Sequence, residues 1–505
     1  MSTRQSHPRR RFLQQLGGSF ALGAVSSFMP QLGLIPRAIA QSNDYKALVC
    51  VYLAGANDSF NWLVPRDSTA SGSHYQRYAT ARGGVYSTSN TAGLALNFDD
   101  LLPIRPQGSS VDFGLHPSHG DFSAVNGSAS QAHSGLHTLF GQGKAAFVCN
   151  VGPLLQPISK TGYDNGEPRP PQLFSHNDQE LLWHIGVGSQ SNPVARYGWG
   201  GRVADAIDAL SVGSGLSPAI STAGAARFLV GDGILPYQIS GEGVNTIDNY
   251  VSGDTLNYSA ARRAVLDDLL GEAYSQPFAQ GYATTVKRSL QVGEELDALL
   301  NASDGSGNVE TIFPAGNSLA SQLNVVARMI KVSRNSLMAR RQVYFVRYGS
   351  FDLHDGMFES GGALTNSGHG ALLTAVNEAL GSFWTALGEI GGRSAVTTFT
   401  MSEFGRTLSG NGSGSDHAWG GNMLVLGDSV QGGRLFGSYP QLILNNNDDA
   451  GKDWSFNRGQ YIPTTATEQF AATLARWMGV TDNAALDAIF PNLNKFGSNN
   501  LGFML

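Results

Sequence analysis

The chain has 505 residues, of which 41% are hydrophobic and 63 are glycine. It is long enough to bury a large core in one domain with insertions, and a disordered chain is excluded. Charged residues make up only 14% and the net charge is −6, so the chain carries no basic footprint for nucleic acid.

In chain order, the first signal is a targeting segment. "PRRRFLQ" places Arg9 and Arg10 ahead of Phe12 and Leu13, a Gly/Ala/Ser/Phe-rich stretch follows, and "AIA" (Ala38 to Ala40) offers small residues for cleavage. Residues 1–40 therefore read as a twin-arginine signal peptide, with 41–505 as the mature chain. The expected partner is the twin-arginine export machinery, and the expected location is periplasmic or extracellular. The apolar stretch is short and meets Pro30, and no later stretch is long enough for a stable membrane span. Cys50 and Cys149 each sit in an apolar run, and read either as two buried thiols or as a disulfide permitted by export.

"YKALVCVYLAG" (Tyr45 to Gly55) predicts a fully buried strand. So do "GKAAFVCNVG" (Gly143 to Gly152), "RQVYFVRYG" (Arg341 to Gly349), "AVTTFTMSEFG" (Ala395 to Gly405) and "NMLVLG" (Asn422 to Gly427). Helical periodicity covers Ser318 to Leu337 and Gly370 to Gly391. A single long polar helix is expected near Leu256 to Leu300, within an inserted region at about 186–314. Buried strands alternating with helices predict an α/β fold, a mostly parallel sheet with helices on both faces.

Ligand sites of such sheets lie beyond the carboxyl ends of the strands. Asp58 follows the first strand. Asp352, His354 and Asp355 follow the third, and Glu403 with Arg406 follows the fourth. Asp416 and His417 precede the fifth. Each alone reads as a turn or cap residue. Together, carboxylates and imidazoles at one edge predict a site for one divalent metal ion, calcium, zinc or another.

The order of Asp58, a serine, Asp352/His354/Asp355, Glu403 and His417 resembles the alkaline phosphatase and sulfatase superfamily. A longer set of motifs is similar to an exported bacterial family, domain of unknown function fifteen-oh-one: "LAGANDSFN", "LHPSH", "FSHNDQ", "GWGGR", "FDLHD", "TMSEFGRT", "DHAWGGN" and "GGRLFGSYP". The resemblance implies an alkaline-phosphatase-like three-layer sandwich. It also implies Ser175, at a helix start, as nucleophile. Phe404 stands where phosphatases place a second-site histidine, which implies one metal rather than two.

The expected chemistry is hydrolysis of a sulfate or phosphate ester, an anionic substrate. Ser175 attacks, Arg406 clamps the anion bidentately, and His176 or His417 protonates the leaving group. Ser175 reads equally as a cap completed by Asp178, and Arg406 as a structural partner of Glu403. The alternative is a non-catalytic secreted binding or surface-assembly protein that keeps the sulfatase-like fold.

Overall fold

The computed structural model describes residues 45–189, 191–208, 216–244, 257–337, 339–358, 363–450 and 458–505. The signal read at residues 1–40 lies outside them. The described strands are β1 (Lys46–Leu53), β2 (Leu63–Pro65), β3 (Leu102–Ile104), β4 (Phe113–Leu115), β5 (Phe122–Asn126), β6 (Ala129–His133), β7 (Ala145–Gly152), β8 (Ala219–Ser221), β9 (Tyr237–Gln238), β10 (Arg341–Tyr348), β11 (Val396–Met401), β12 (Gly421–Leu426), β13 (Leu435–Gly437) and β14 (Thr465–Ala466).

Nine of these form one sheet in the order β13-β7-β12-β11-β1-β10-β8-β9, with β14 also pairing β7. All pairings are parallel except those of β12, which runs against β11 and β7. The fold is thus mixed α/β around a large, mostly parallel sheet. Every residue of β7, β11 and β12 is buried. Successive strand residues point to opposite faces, so continuous burial means that both faces are covered. The short β8 and β9, at one edge of the sheet, carry too little pattern to read from sequence.

Cys50 and Cys149 are free and buried. They lie on β1 and β7, with β11 and β12 between them. Strands are spaced about 4.8 Å apart, so the two sulfurs are far beyond bonding reach.

The helices Ser318–Asn335 and Gly368–Glu389 form close to the predicted bounds. The polar stretch after Leu256 forms two helices, Asn257–Gly271 and Pro277–Leu300. Pro277 has no N–H and so begins a helix rather than continuing one. Residues 244–299 belong to a compact unit of their own; within its described part Arg263 bridges the two helices to Glu294 at 2.9 Å. The sheet and the candidate site belong to the other unit, 38–243 with 300–505.

Candidate metal centre

The parallel strands β1, β10 and β11 are adjacent and in register, with Leu53 opposite Tyr348 and Tyr52 opposite Met401. Their carboxyl ends therefore emerge side by side. Beyond β1, Gly55 and Ala56 take φ of 107° and 69°; beyond β10, Ser350 takes 79°. For Ala56 and Ser350 this left-handed backbone costs about 1–2 kcal/mol each. A side chain on Gly55 would meet the backbone nitrogens of Asp352 and Phe351 at 2.5 and 2.8 Å, so only glycine permits these two strand ends to approach.

After β10 the chain folds tightly: Leu353 N donates to Phe351 O at 2.8 Å and His354 N to Asp352 O at 3.0 Å. These three-residue turns bring Asp352 and His354 together. After β11, residues 405–407 pair with the returning segment 416–419. Thr407 N donates to Asp416 O at 2.8 Å, and Ala418 N to Gly405 O at 2.8 Å. That return carries His417 back to the strand end that holds Glu403. His176 arrives from elsewhere, as the first residue of the helix His176–Ile185.

His176, Asp352 and His417 present ligand atoms that all lie within 4.8 Å of one another. The Nε2 of His417 is 3.1 Å from that of His176, 2.9 Å from that of His354 and 3.2 Å from Asp352 Oδ1. Asp352 lies 3.1 Å from His354 Nε2 through Oδ1 and 3.3 Å from His176 Nε2 through Oδ2. His417 and Asp352 are thus common to two triplets, one completed by His176 and one by His354.

The outer nitrogens decide what this cluster is. His176 Nδ1 faces Glu403 Oε1 at 2.9 Å, His354 Nδ1 faces Asp416 Oδ1 at 2.7 Å, and His417 Nδ1 faces the Phe174 carbonyl at 2.7 Å. These partners only accept, so each Nδ1 donates, and a ring that is neutral presents its Nε2 lone pair to the cluster. Neutral rings put the Nε2 lone pairs of His176 and His354 and the Asp352 carboxylate about 3 Å from His417 Nε2, an arrangement that a metal ion, or a proton on one imidazole, reconciles. A tetrahedral ion with nitrogen ligands at about 2.0–2.1 Å has ligand–ligand edges of roughly 3.3–3.4 Å, close to the spacing here. Carboxylate or carbonyl behind each imidazole is the usual outer support of metal-ligating histidines.

Burial works against the Glu403 carboxylate, but hydrogen bonds from His176 and from Gly55 N–H hold it below its usual range. The bond to Glu403 raises His176, while burial lowers His417. Asp416, partly buried, is pulled down to about 2 by Arg458, His354 and Asn411. Asp352 is lowered too, against its burial, chiefly by Arg406. The centre opens to solvent on one side, where the side chains of His354 and Asp352 are 45% and 42% exposed.

Several candidates take different places. Asp58 is turned away: it is buried in an ion pair with Arg82, itself wholly buried, and has no part in the cluster. Glu403 and Asp416 stand one layer out, as acceptors for His176 and His354. Asp355 is exposed and is not among the residues that meet here. The Arg406 guanidinium is fully buried and engaged by Asp352 at 2.6 Å and by Ser415, so its fork is not open to a substrate anion, nor is it paired with Glu403. Ser175 stands at the N-cap and donates to Asp178 Oδ2 at 2.6 Å. His184 is buried against Tyr52 and Phe345. Phe404 packs between His176 and His417, its ring centroid 4.9 and 4.6 Å from theirs.

Four contributors carry no readable signal in the sequence. Tyr52 looks like any core residue of a strand, the Phe174 carbonyl is backbone, and Asn411 lies in a Gly/Ser loop. Arg458 lies 42 residues beyond the Asp416 that it pairs with.

No curated protein matches the chain. Among solved structures, one match is the chain titled "Crystal structure of Ps i-CgsB in complex with k-i-k-neocarrahexaose". It is 11% identical, covers 71% of this chain and 69% of that one, and has a TM-score of 0.30, too low to carry any argument. A family model described as protein of unknown function (DUF1501) matches residues 45–490, nearly the whole described chain, and the protein belongs to that family.

Proposed function

We propose that the protein is a metal-dependent hydrolase of sulfate or phosphate esters on an alkaline-phosphatase-like three-layer sandwich, exported through the twin-arginine machinery to the periplasm or beyond. The observation that carries the proposal is the convergence of three imidazole Nε2 atoms and Asp352 at a solvent-open sheet edge, with every outer nitrogen anchored.

The ion is one per chain, held by Asp352 and His417 with His176, His354 or both. Three imidazoles favour zinc or a similar transition ion over calcium, which prefers an all-oxygen shell. Bound there, it supplies Lewis-acid charge for an ester oxygen. Arg406 fixes Asp352 from the buried side. Ser175 lies in sequence between Phe174, whose carbonyl holds His417, and His176. Its hydroxyl passes its proton to Asp178 as the oxygen bonds to phosphorus or sulfur; the bond to the ester oxygen breaks, that oxygen takes the proton back from Asp178 and leaves as the alcohol, and water then cleaves the serine ester, returning one proton to Ser175 and releasing the anion. The resemblance in residue order and the Ser175–Asp178 contact support this role.

Elemental analysis of purified protein is expected to find about one zinc-class ion per chain. Metal-loaded protein is expected to turn over chromogenic sulfate or phosphate esters, and Ser175→Ala to remove that turnover while keeping the metal. A broad ester panel that stays silent with loaded protein overturns the hydrolase reading in favour of a binding protein. Export is tested separately: with Arg9 and Arg10 both changed to Lys, the protein is expected to stay unprocessed in the cytoplasm, and normal export refutes the route.

A further inference from the structure

The first strand was expected to end in an acid that binds the metal. Its acid, Asp58, is turned to Arg82 instead, and what β1 brings to the centre is of another kind. We infer that the end of β1, through the Tyr52 hydroxyl and the Gly55 N–H, is a positioning element of the metal centre. It acts by holding Glu403, and through Glu403 it holds His176. This deepens the metal reading above and rests on it.

Glu403 is 2% exposed, so its carboxylate needs donors from the protein. Oε1 receives Gly55 N at 2.7 Å and His176 Nδ1 at 2.9 Å. Oε2 has Tyr52 Oη at 3.2 Å and Ser402 Oγ at 3.4 Å. The single hydroxyl proton of Ser402 has a better acceptor in Leu53 O at 2.7 Å. Among the described residues, Tyr52 is therefore the effective donor to Oε2. Burial, then Glu403 itself, pushes the Tyr52 phenol well above its usual range, so it remains protonated and donates.

With both oxygens held, the carboxylate cannot rotate, and His176 Nδ1 meets an oxygen in one place. The ring of Tyr52 has separate work. It packs on His184 at 5.1 Å and lies 5.2 Å under the Arg347 guanidinium, which pairs with Glu180 on the same helix as His176. Phenylalanine keeps that ring and removes only the hydroxyl. Gly55 acts twice: its N–H holds Glu403, and its missing side chain leaves room for the Asp352 backbone.

The test measures zinc affinity by chelator competition and the visible spectrum of the cobalt-substituted protein. Wild type, Tyr52→Phe and Tyr344→Phe are compared. Tyr344 is a control: also buried, its hydroxyl binds Gln342 at 2.8 Å. Tyr52→Phe is expected to weaken zinc by up to about tenfold, the lower end of the loss for a residue bonded directly to a ligand, and to shift the cobalt bands. Tyr344→Phe is expected to change melting temperature alone. Gly55→Ala is expected to weaken zinc further if it folds. Zinc binding by wild type with an unchanged affinity and spectrum in Tyr52→Phe overturns this inference and leaves the metal reading intact. A wild type that binds no metal overturns the metal reading itself.

Discussion

His176, His354 and His417 at the sheet edge have a counterpart inside the fold, where His116, His119 and His369 gather. The inner rings are close as well, with His116 centroids 6.3 Å from His119 and 6.1 Å from His369. The inner three are 1%, 0% and 1% exposed. Among the described residues no carboxylate is hydrogen-bonded to them. His116 Nδ1 accepts Ser118 N–H at 3.1 Å, His369 Nε2 faces Asn57 Oδ1 at 2.8 Å, and His116 Nε2 and His369 Nδ1 have no hydrogen-bond partner among the described residues. Burial pushes His119 down to about 3, His369 to about 4 and His116 well below its usual value. His369 also sits in the first turn of the helix Gly368–Glu389, where the helix dipole disfavours a positive charge.

The difference lies in what faces each ring from behind. An acceptor behind the imidazole fixes its tautomer and aims a lone pair forward, and three such rings make a ligand set. Of the inner rings only His369 has such an acceptor among the described residues, Asn57 Oδ1, so three aimed lone pairs do not form there, and burial keeps the rings neutral. A histidine's proximity to other histidines is thus a poor guide to metal binding; its second nitrogen is a better one.

The sharpest way to break this comparison is Asp58→Ala. If Asp58 serves only Arg82, its loss strands a buried guanidinium and costs about 3–5 kcal/mol in denaturant unfolding, with metal content per folded chain unchanged. Loss of the metal at intact stability would move Asp58 into the centre.

Next in size is His417→Ala. Zinc affinity is expected to fall at least about a hundredfold, beyond what loss of an outer partner does, and added zinc should no longer raise the melting temperature. The matching change at His369 should leave zinc affinity as it was. Equal loss in both variants would erase the distinction between the clusters.

The smallest effect concerns acid. The inner histidines have folded pKa values below the unfolded value of about 6.5, so between that and about 4 the unfolded chain binds more protons. Their contribution to stability is complete above about pH 6.5 and is lost as pH falls, each ring adding a slope of up to about 1.4 kcal/mol per pH unit. Urea midpoints of metal-free protein between pH 4.5 and 7 should show this slope, and His119→Leu should flatten it by about one proton. An unchanged slope in that variant would show that the ring is already protonated or exposed.

Much of this was legible in the residues. Continuous apolar, β-branched runs marked β1, β7, β10, β11 and β12, because a strand buried on both faces has no polar face to show. Acids and histidines after those runs marked the edge of the candidate site, because parallel strands bring their carboxyl ends to one side. Asp352, His354 and His417 were found that way, and His176 came from the motif "FSHNDQ". Their roles were less legible. Asp58 and Glu403 look alike in sequence, each an acid just past a buried strand, yet one neutralises Arg82 and the other supports an imidazole.

By itself the sequence determined the α/β class, the buried strands and the edge where the histidines and Asp352 cluster. Those follow from periodicity and from strand direction, which are local. Only the tertiary structure decided which ligands meet and which acids stand behind them. Left-handed turns at Gly55, Ala56 and Ser350 and the short turns at Asp352 aim these side chains. Loop backbone has no repeating period, so the direction of a side chain there depends on what packs against it from hundreds of residues away. Glu403 is held by Tyr52, Gly55 and His176, and nothing in the nine residues of "FTMSEFGRT" specifies any of the three.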